Sequence, residues 1–223
     1  MYNNKYWKNR IIKHKVNENL FISDFTKESS YLLGFIWGDG YISNGGTNKQ
    51  IRIECVSDDI NKLMPIMKKT GVWCFNKRKR INKKREVTIA STSNKELIEF
   101  LIKNNYKDKS NMTPEKIFNL IPSQYEKYFI LGWIDADGCF YWNEKHKLRQ
   151  FYLSGSFEQD WGVFEQILNQ LDVQYKIIRV NNKTKYSHIR VTGKLNINKL
   201  GNYIFDDIIP FQRKYDKYKL IIK

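Results

Sequence analysis

Two short stretches, GFIWGDG at 34–40 and GWIDADG at 132–138, run apolar residues into an Asp-Gly in the same chain. The match extends outward, YLLGFIWGDGYIS (31–43) against FILGWIDADGCFYW (129–142). The same order of patterns follows each copy. Alternating IRIECV (51–56) and FYLSGSF (151–157) read as strands. Apolar residues at helical spacing follow over 58–72 and 159–173. Two more strands come next, 72–78 and 86–91 in the first copy, 174–180 and 187–193 in the second. A closing helix is expected over 94–104 and over 196–205. A seven-letter repeat arises easily by chance, whereas a repeated order of elements signals duplication.

The fold class expected is therefore α+β: two pseudo-symmetric αββαββα units, each with a four-stranded antiparallel sheet. Residues 1–22 lie outside the repeat and read as a basic N-terminal arm. The first unit spans 23–109, Pro114 and Pro122 punctuate a linker at 110–123, and the second unit spans 124–223. A duplicated unit carries its own two-fold relation within one chain, so a monomer is expected.

A helix that stops at Asp-Gly is common, because glycine ends a helix at little cost. The acid is the anomaly. A helix C-terminus is partially negative, so Asp39 and Asp137 each cost about 0.3–1 kcal/mol there relative to a cation. Gly34 and Gly38 are four apart, as are Gly132 and Ala136, and small residues at that spacing share one helix face and let two backbones approach. If the helices pack together through Gly34, Gly38, Gly132 and Ala136, Asp39 and Asp137 finish side by side. Adjacent carboxylates cannot both stay ionised without a cation. Oxygen donors without His or Cys suit Mg²⁺, with Ca²⁺ and Mn²⁺ as less specific occupants.

The chain has 223 residues with 39 Lys+Arg against 23 Asp+Glu, a net charge of +16. Nucleic acid is the usual partner of such a field, ahead of an anionic membrane surface. No apolar stretch is long enough to span a bilayer, and the basic start lacks the apolar core of a signal peptide. An intracellular protein without membrane contact is expected. Cys55, Cys74 and Cys139 are isolated, and so are His14, His146 and His188, which argues against a zinc site and a disulfide framework.

Alternation nominates a nucleic-acid-binding sheet face. Arg52 and Glu54 alternate with Ile51, Ile53 and Cys55; His188, Arg190 and Thr192 alternate with Ile189 and Val191; Thr88 stands between Val87 and Ile89. The hairpin segment at 77–85 is basic at Lys77, Arg78, Lys79, Arg80, Lys83, Lys84 and Arg85, and the second copy offers Lys176, Arg179, Lys183 and Lys185. Basic side chains supply phosphate contacts and affinity; strand side chains supply sequence choice. A strand rises about as far per residue as duplex DNA does per base pair, roughly 3.3 Å, so a strand can track the major groove.

LLGFIWGDG and ILGWIDADG resemble the two signature motifs of the LAGLIDADG homing endonucleases, in the single-chain, double-motif form. The second copy is close to the signature; in the first, Trp37 and Gly38 replace an Asp and an Ala. The resemblance covers about residues 24–223. It implies a DNA-binding saddle and a site-specific endonuclease that hydrolyses one phosphodiester on each strand of a target of roughly 20 bp, leaving 3′ overhangs. It also implies Mg²⁺ as cofactor, with Mn²⁺ substituting and Ca²⁺ binding without supporting cleavage. The ligands would be Asp39, Asp137 and the carbonyls of Gly38 and Ala136. Lys109 matches a lysine ahead of the second motif in many relatives, and the repeat places Lys214 equivalently, so both join Asp39 and Asp137 as catalytic candidates. The strand positions that carry Gln or Lys in some relatives are here Cys55 and Ser156. Two other functions suit the same fold and charge: an RNA maturase acting on a group I intron, and a non-cleaving nucleic-acid-binding protein.

Overall fold

The computed structural model describes residues 19–43, 49–79 and 86–223. The first unit runs α1 (Lys27–Asp39), β1 (Gly40–Ser43), β2 (Gln50–Val56), α2 (Ser57–Thr70), β3 (Cys74–Lys79), β4 (Glu86–Thr92) and α3 (Lys95–Lys103). A single 3₁₀ turn (Tyr106–Asp108) and the short α4 (Glu115–Phe118) lead to the second unit. That unit runs α5 (Ser123–Asp137), β5 (Gly138–Asn143), β6 (Leu148–Ser156), α6 (Gly162–Gln170), β7 (Tyr175–Val180), β8 (Tyr186–Thr192) and α7 (Lys194–Ile204), with α8 (Gln212–Ile222) closing the chain. Each unit is thus αββαββα with a four-stranded antiparallel sheet, in order β1-β2-β4-β3 and β5-β6-β8-β7.

Helix α1 is started by a capping box, in which Thr26 Oγ1 accepts from Ser29 N and Ser29 Oγ accepts from Thr26 N. Its next residues, Tyr31 to Trp37, are all buried, as are Tyr128 to Asp135 of α5. A helix that is apolar all round must be enclosed on every side. The two motif helices enclose each other. A Cβ on Gly34 would stand 1.9 Å from Phe129 O, and one on Gly132 2.0 Å from Tyr31 O, so backbone lies directly against backbone. The sheets complete the enclosure through faces carrying Ile51, Ile53 and Ala90 in one unit and Phe151, Leu153, Ile189 and Val191 in the other, all fully buried.

Two segments expected to stand apart are packed into this core. Ile117, Phe118 and Ile121 of the linker are buried, with Phe118 edge-on to Phe129 at 5.6 Å. Leu20 and Phe21, at the end of the expected arm, are buried too, while residues 1–18 lie outside the described residues. Helix α8 was not foreseen: Tyr218 and Ile221 bury against β5 and α7, and Tyr218 sits where a Cβ on Gly201 would be. No helix among the described residues is long and apolar enough to cross a membrane.

Candidate active site

The backbone approach at Gly34 and Gly132 continues to the helix ends. A Cβ on Gly38 would lie 2.3 Å from Ala136 Cβ and 2.8 Å from Asp137 Oδ2. The four expected interface residues therefore all lie in the joint, Gly38 against Ala136 and Gly34 and Gly132 each against the backbone of the opposite helix, and Asp137 lies against the residue that precedes Asp39. The glycines after each acid are extended (φ −78° at Gly40, −88° at Gly138), so they are not left-handed stops. They are glycine for room: a Cβ would come within 2.7 Å of Ile36 O at Gly40 and 2.6 Å of Ile134 O at Gly138.

Burial raises the Asp39 carboxyl above its usual range, against the pull of Lys109 and Lys214. Asp137 is pushed up to about 7, first by burial and then by Asp39, with the same two lysines opposing. Both acids resist ionisation here because burial outweighs the two lysine charges, and at Asp137 the nearby Asp39 adds to it. The donor set is oxygen only. Among the described residues no three His, Cys, Asp or Glu side chains cluster, so further donors for a divalent ion would be backbone carbonyls and water.

Lys109 and Lys214 stand at equivalent places, and their geometry limits what each can do. Lys109 Nζ donates to the carbonyls of Trp37 (2.8 Å), Gly38 (2.5 Å) and Gly40 (2.6 Å). Lys214 Nζ donates to Ile134 (2.7 Å), Asp135 (2.7 Å) and Gly138 (2.8 Å). An ammonium has three N–H groups, and each lysine spends all three on the last turn of a motif helix. Neither keeps a donor with which to polarise water; what remains is a positive charge at the negative end of each helix, beside the acids. Burial lowers Lys109 to about 8 against the pull of Asp137 and Asp39, and burial likewise lowers Lys214.

Three neighbours of the acids were not foreseen. Tyr106 donates its hydroxyl to Ile36 O at 2.7 Å. Asp135, buried and pushed up to about 7 by its burial, accepts from Tyr31 OH across the helix joint at 2.8 Å. Gln159 joins Asp137, Gly38, Lys109, Ser110 and Ser156 around a cleft of about 190 Å³. The spacing Tyr106–Lys109 repeats as Phe211–Lys214, a signal in the sequence that would have exposed Tyr106.

Strand register sorts the proposed nucleic-acid contacts. Arg52, Glu54 and Arg78 share the face opposite the helices, as do Lys176, His188, Arg190 and Thr192 in the second sheet. Lys183 and Lys185 lie exposed in the turn between β7 and β8. Thr88 is a correction: its partner Cys55 lies on the core side with Ile53, and Thr88 is buried against Ser57, their hydroxyls 2.8 Å apart. Register puts Lys77, Lys79 and Arg179 on the helix side of their sheets, although Lys77 and Lys79 stay exposed. There Lys77 pairs with Glu86 (3.3 Å) and Arg179 donates to Phe157 O. Arg80, Lys83, Lys84 and Arg85 lie outside the described residues. Cys55 and Ser156 are not counterparts. Cys55 aligns with Gly155 on the core side, and burial pushes its thiol up to about 12; Ser156 aligns with Val56.

No family model matches the chain, and no curated protein matches it. Solved structures do. The homing endonuclease I-WcaI, bound to its DNA recognition sequence, aligns over 90% of this chain and 89% of its own with a TM-score of 0.60 at 18% identity. The LAGLIDADG meganuclease I-AabMI, bound to uncleaved DNA, aligns over 89% and 90% with a TM-score of 0.55 at 15% identity. I-DmoI in complex with DNA and Mn aligns over 82% and 98% with a TM-score of 0.52 at 20% identity. Duplicated αββαββα units joined through two acid-tipped helices give this chain the single-chain, two-motif fold of the LAGLIDADG homing endonucleases.

Proposed function

We propose that the protein is a site-specific, metal-dependent DNA endonuclease that hydrolyses one phosphodiester on each strand of a long duplex target and leaves 3′ overhangs. The observation that supports this reading is that Asp137 lies against Gly38, the residue before Asp39, at the end of the α1–α5 joint, where Asp39 adds to burial in holding the Asp137 carboxyl up. The neighbours of the same fold support it, being homing endonucleases in complex with DNA and with Mn, Ca or Mg.

Asp39 and Asp137, with the carbonyls of Gly38 and Ala136, are the residues that would hold divalent ions. Mg²⁺ is the expected ion, Mn²⁺ a substitute, and Ca²⁺ an ion that binds without cleavage. A bound ion there supplies charge for activating water and stabilising the leaving oxygen. The chain's own part is placement. Backbone contact at Gly34 and Gly132 fixes the spacing of the two acids. Lys109 and Lys214 pin the helix ends and offset negative charge as a scissile phosphate approaches. The outer sheet faces, with Arg52, Arg78, Lys176 and Arg190, align the duplex, and the +16 charge draws it in. The internal two-fold suits a monomer acting on both strands.

Purified protein incubated with Mg²⁺ and duplexes from a randomised library should cut a defined sequence on both strands. Asp39→Asn or Asp137→Asn should lower that rate by at least about a thousandfold while duplex binding in Ca²⁺ persists. Undiminished cutting by both variants would refute the assignment of the acids.

A further inference from the structure

Sequence choice by this fold depends on which side chains the outer sheet faces present, and the two faces differ at one matched pair of positions. Arg52 pairs with Tyr41 in the β1–β2 ladder, and Tyr152 pairs with Cys139 in the β5–β6 ladder; Arg52 and Tyr152 each stand one residue before a core residue aligned with the glycine after the motif acid, Ile53 with Gly40 and Leu153 with Gly138. They are therefore equivalent, and both face away from the helices. Each is held by the glutamine two residues before it. Gln50 Oε1 accepts from Arg52 Nε (3.2 Å) and Nη2 (3.0 Å). Gln150 Oε1 accepts from the hydroxyl of Tyr152.

The same amide thus orients two different chemistries. Of the five N–H groups on a guanidinium, Gln50 engages two, and the rigid fork keeps the Nη1–Nη2 end for another partner. Such an end matches the O6 and N7 acceptors that guanine alone presents side by side in the major groove. The Tyr152 hydroxyl is already donated to Gln150, which leaves the ring as the contact surface. That ring stands in an aromatic group, edge-on to His188 at 5.7 Å and tilted to Tyr141 at 6.4 Å, while His188 stacks on Tyr186 at 5.9 Å. An aromatic surface of this kind, with Arg190 beside it across the β6–β8 ladder, suits the C5-methyl group of thymine, the one apolar mark in the major groove.

On the reading of the protein as a duplex-DNA endonuclease, we infer that Arg52 and Tyr152 are specificity-determining residues for base pairs equidistant from the centre of the target, Arg52 selecting guanine and Tyr152 selecting thymine. Gln50 and Gln150 are positioning residues for this choice. The recognition sequence is accordingly not palindromic at this pair of positions.

The test is selection of bound duplexes from a randomised library on the whole protein in Ca²⁺, followed by affinity measurement on the selected duplex. Guanine should be enriched at one position and thymine at its counterpart. Deoxyuridine in place of that thymine should weaken binding on the order of fourfold, the value of one buried methyl group. Arg52→Lys keeps the charge and loses the fork; it should cut the preference for guanine by about tenfold or more and leave the thymine position unchanged. Gln50→Ala should reduce the same preference without altering the salt dependence of binding, which a phosphate contact would alter. Equal affinity for thymine and deoxyuridine, or guanine preference intact in Arg52→Lys, overturns the inference while leaving the endonuclease reading in place. Enrichment of no duplex at all overturns both.

Discussion

The ends of the two motif helices are built to one plan with one exchange of atoms. At the end of α5 a single side chain, Lys214, donates to the carbonyls of Ile134, Asp135 and Gly138. At the end of α1 the carbonyl equivalent to that of Ile134 belongs to Ile36, and a tyrosine hydroxyl takes it, that of Tyr106. Lys109 is thereby moved one residue along and holds Trp37, Gly38 and Gly40. Phe211, which precedes Lys214 as Tyr106 precedes Lys109, has no hydroxyl to offer. One oxygen atom decides which carbonyls a lysine must serve. It also makes the carbonyls of Gly38 and Ala136 unequal, because that of Gly38 is shared with an ammonium and that of Ala136 receives no bond from Lys214.

A second exchange crosses the joint. Tyr31 and Asp135 form a buried hydrogen bond, and the equivalent positions in the opposite copies carry Phe129 and Trp37. Of the two crossings that the internal symmetry relates, one is polar and the other has apolar residues at both positions. Altering one partner alone would have left a buried polar atom unsatisfied, at about 1–3 kcal/mol.

The comparison can be broken most forcefully where the halves are identical. Gly34→Ala and Gly132→Ala each drive a Cβ into a backbone carbonyl of the other helix, at 1.9 and 2.0 Å. Each should cost about 3 kcal/mol or more, a loss of roughly 6–12 °C in melting temperature for a chain of this size. The two losses should match, and a clear difference between them would deny the two-fold character of the joint. The lysines should differ. Lys214→Met removes three hydrogen bonds from carbonyls in a nearly closed site, whereas Lys109→Met leaves Tyr106 in place at a less deeply buried one, so expected losses are about 3 and about 2 kcal/mol by urea unfolding. The finest test is Tyr106→Phe, which makes the first half resemble the second. It should cost about 1 kcal/mol, less than either lysine change, because Lys109 can swing back to Ile36 O.

Much of this was legible in the sequence. The order of elements, the small-residue helix face and the two acids are local patterns, and pattern carries over directly into contact. What was not legible depended on pairing between strands. The run Val87-Thr88-Ile89-Ala90 places its larger apolar residues one way, and alternation alone assigns Val87 and Ile89 to the core. The ladder decides otherwise: Ala90 sits opposite Ile53, so the small residues Thr88, Ala90 and Thr92 face the helices and leave room for α2. The same dependence on register separated Arg78 from Lys77 and Lys79 and misaligned Cys55 with Ser156. Helix α8 was hidden for another reason. Its buried residues are a lysine and a tyrosine as well as isoleucine, and Lys214 is inside only because helix carbonyls await it. Asp135 likewise looks like a surface acid until Tyr31 is brought to it across the joint.

The joint itself has a consequence for ancestry and for engineering. Because α1 and α5 touch through main-chain atoms at Gly34 and Gly132, the spacing of the joint is set by atoms that every sequence possesses. A unit of this shape from a different parent should therefore fit the joint where it keeps small residues at these positions and a partner matched to Tyr31 or Asp135.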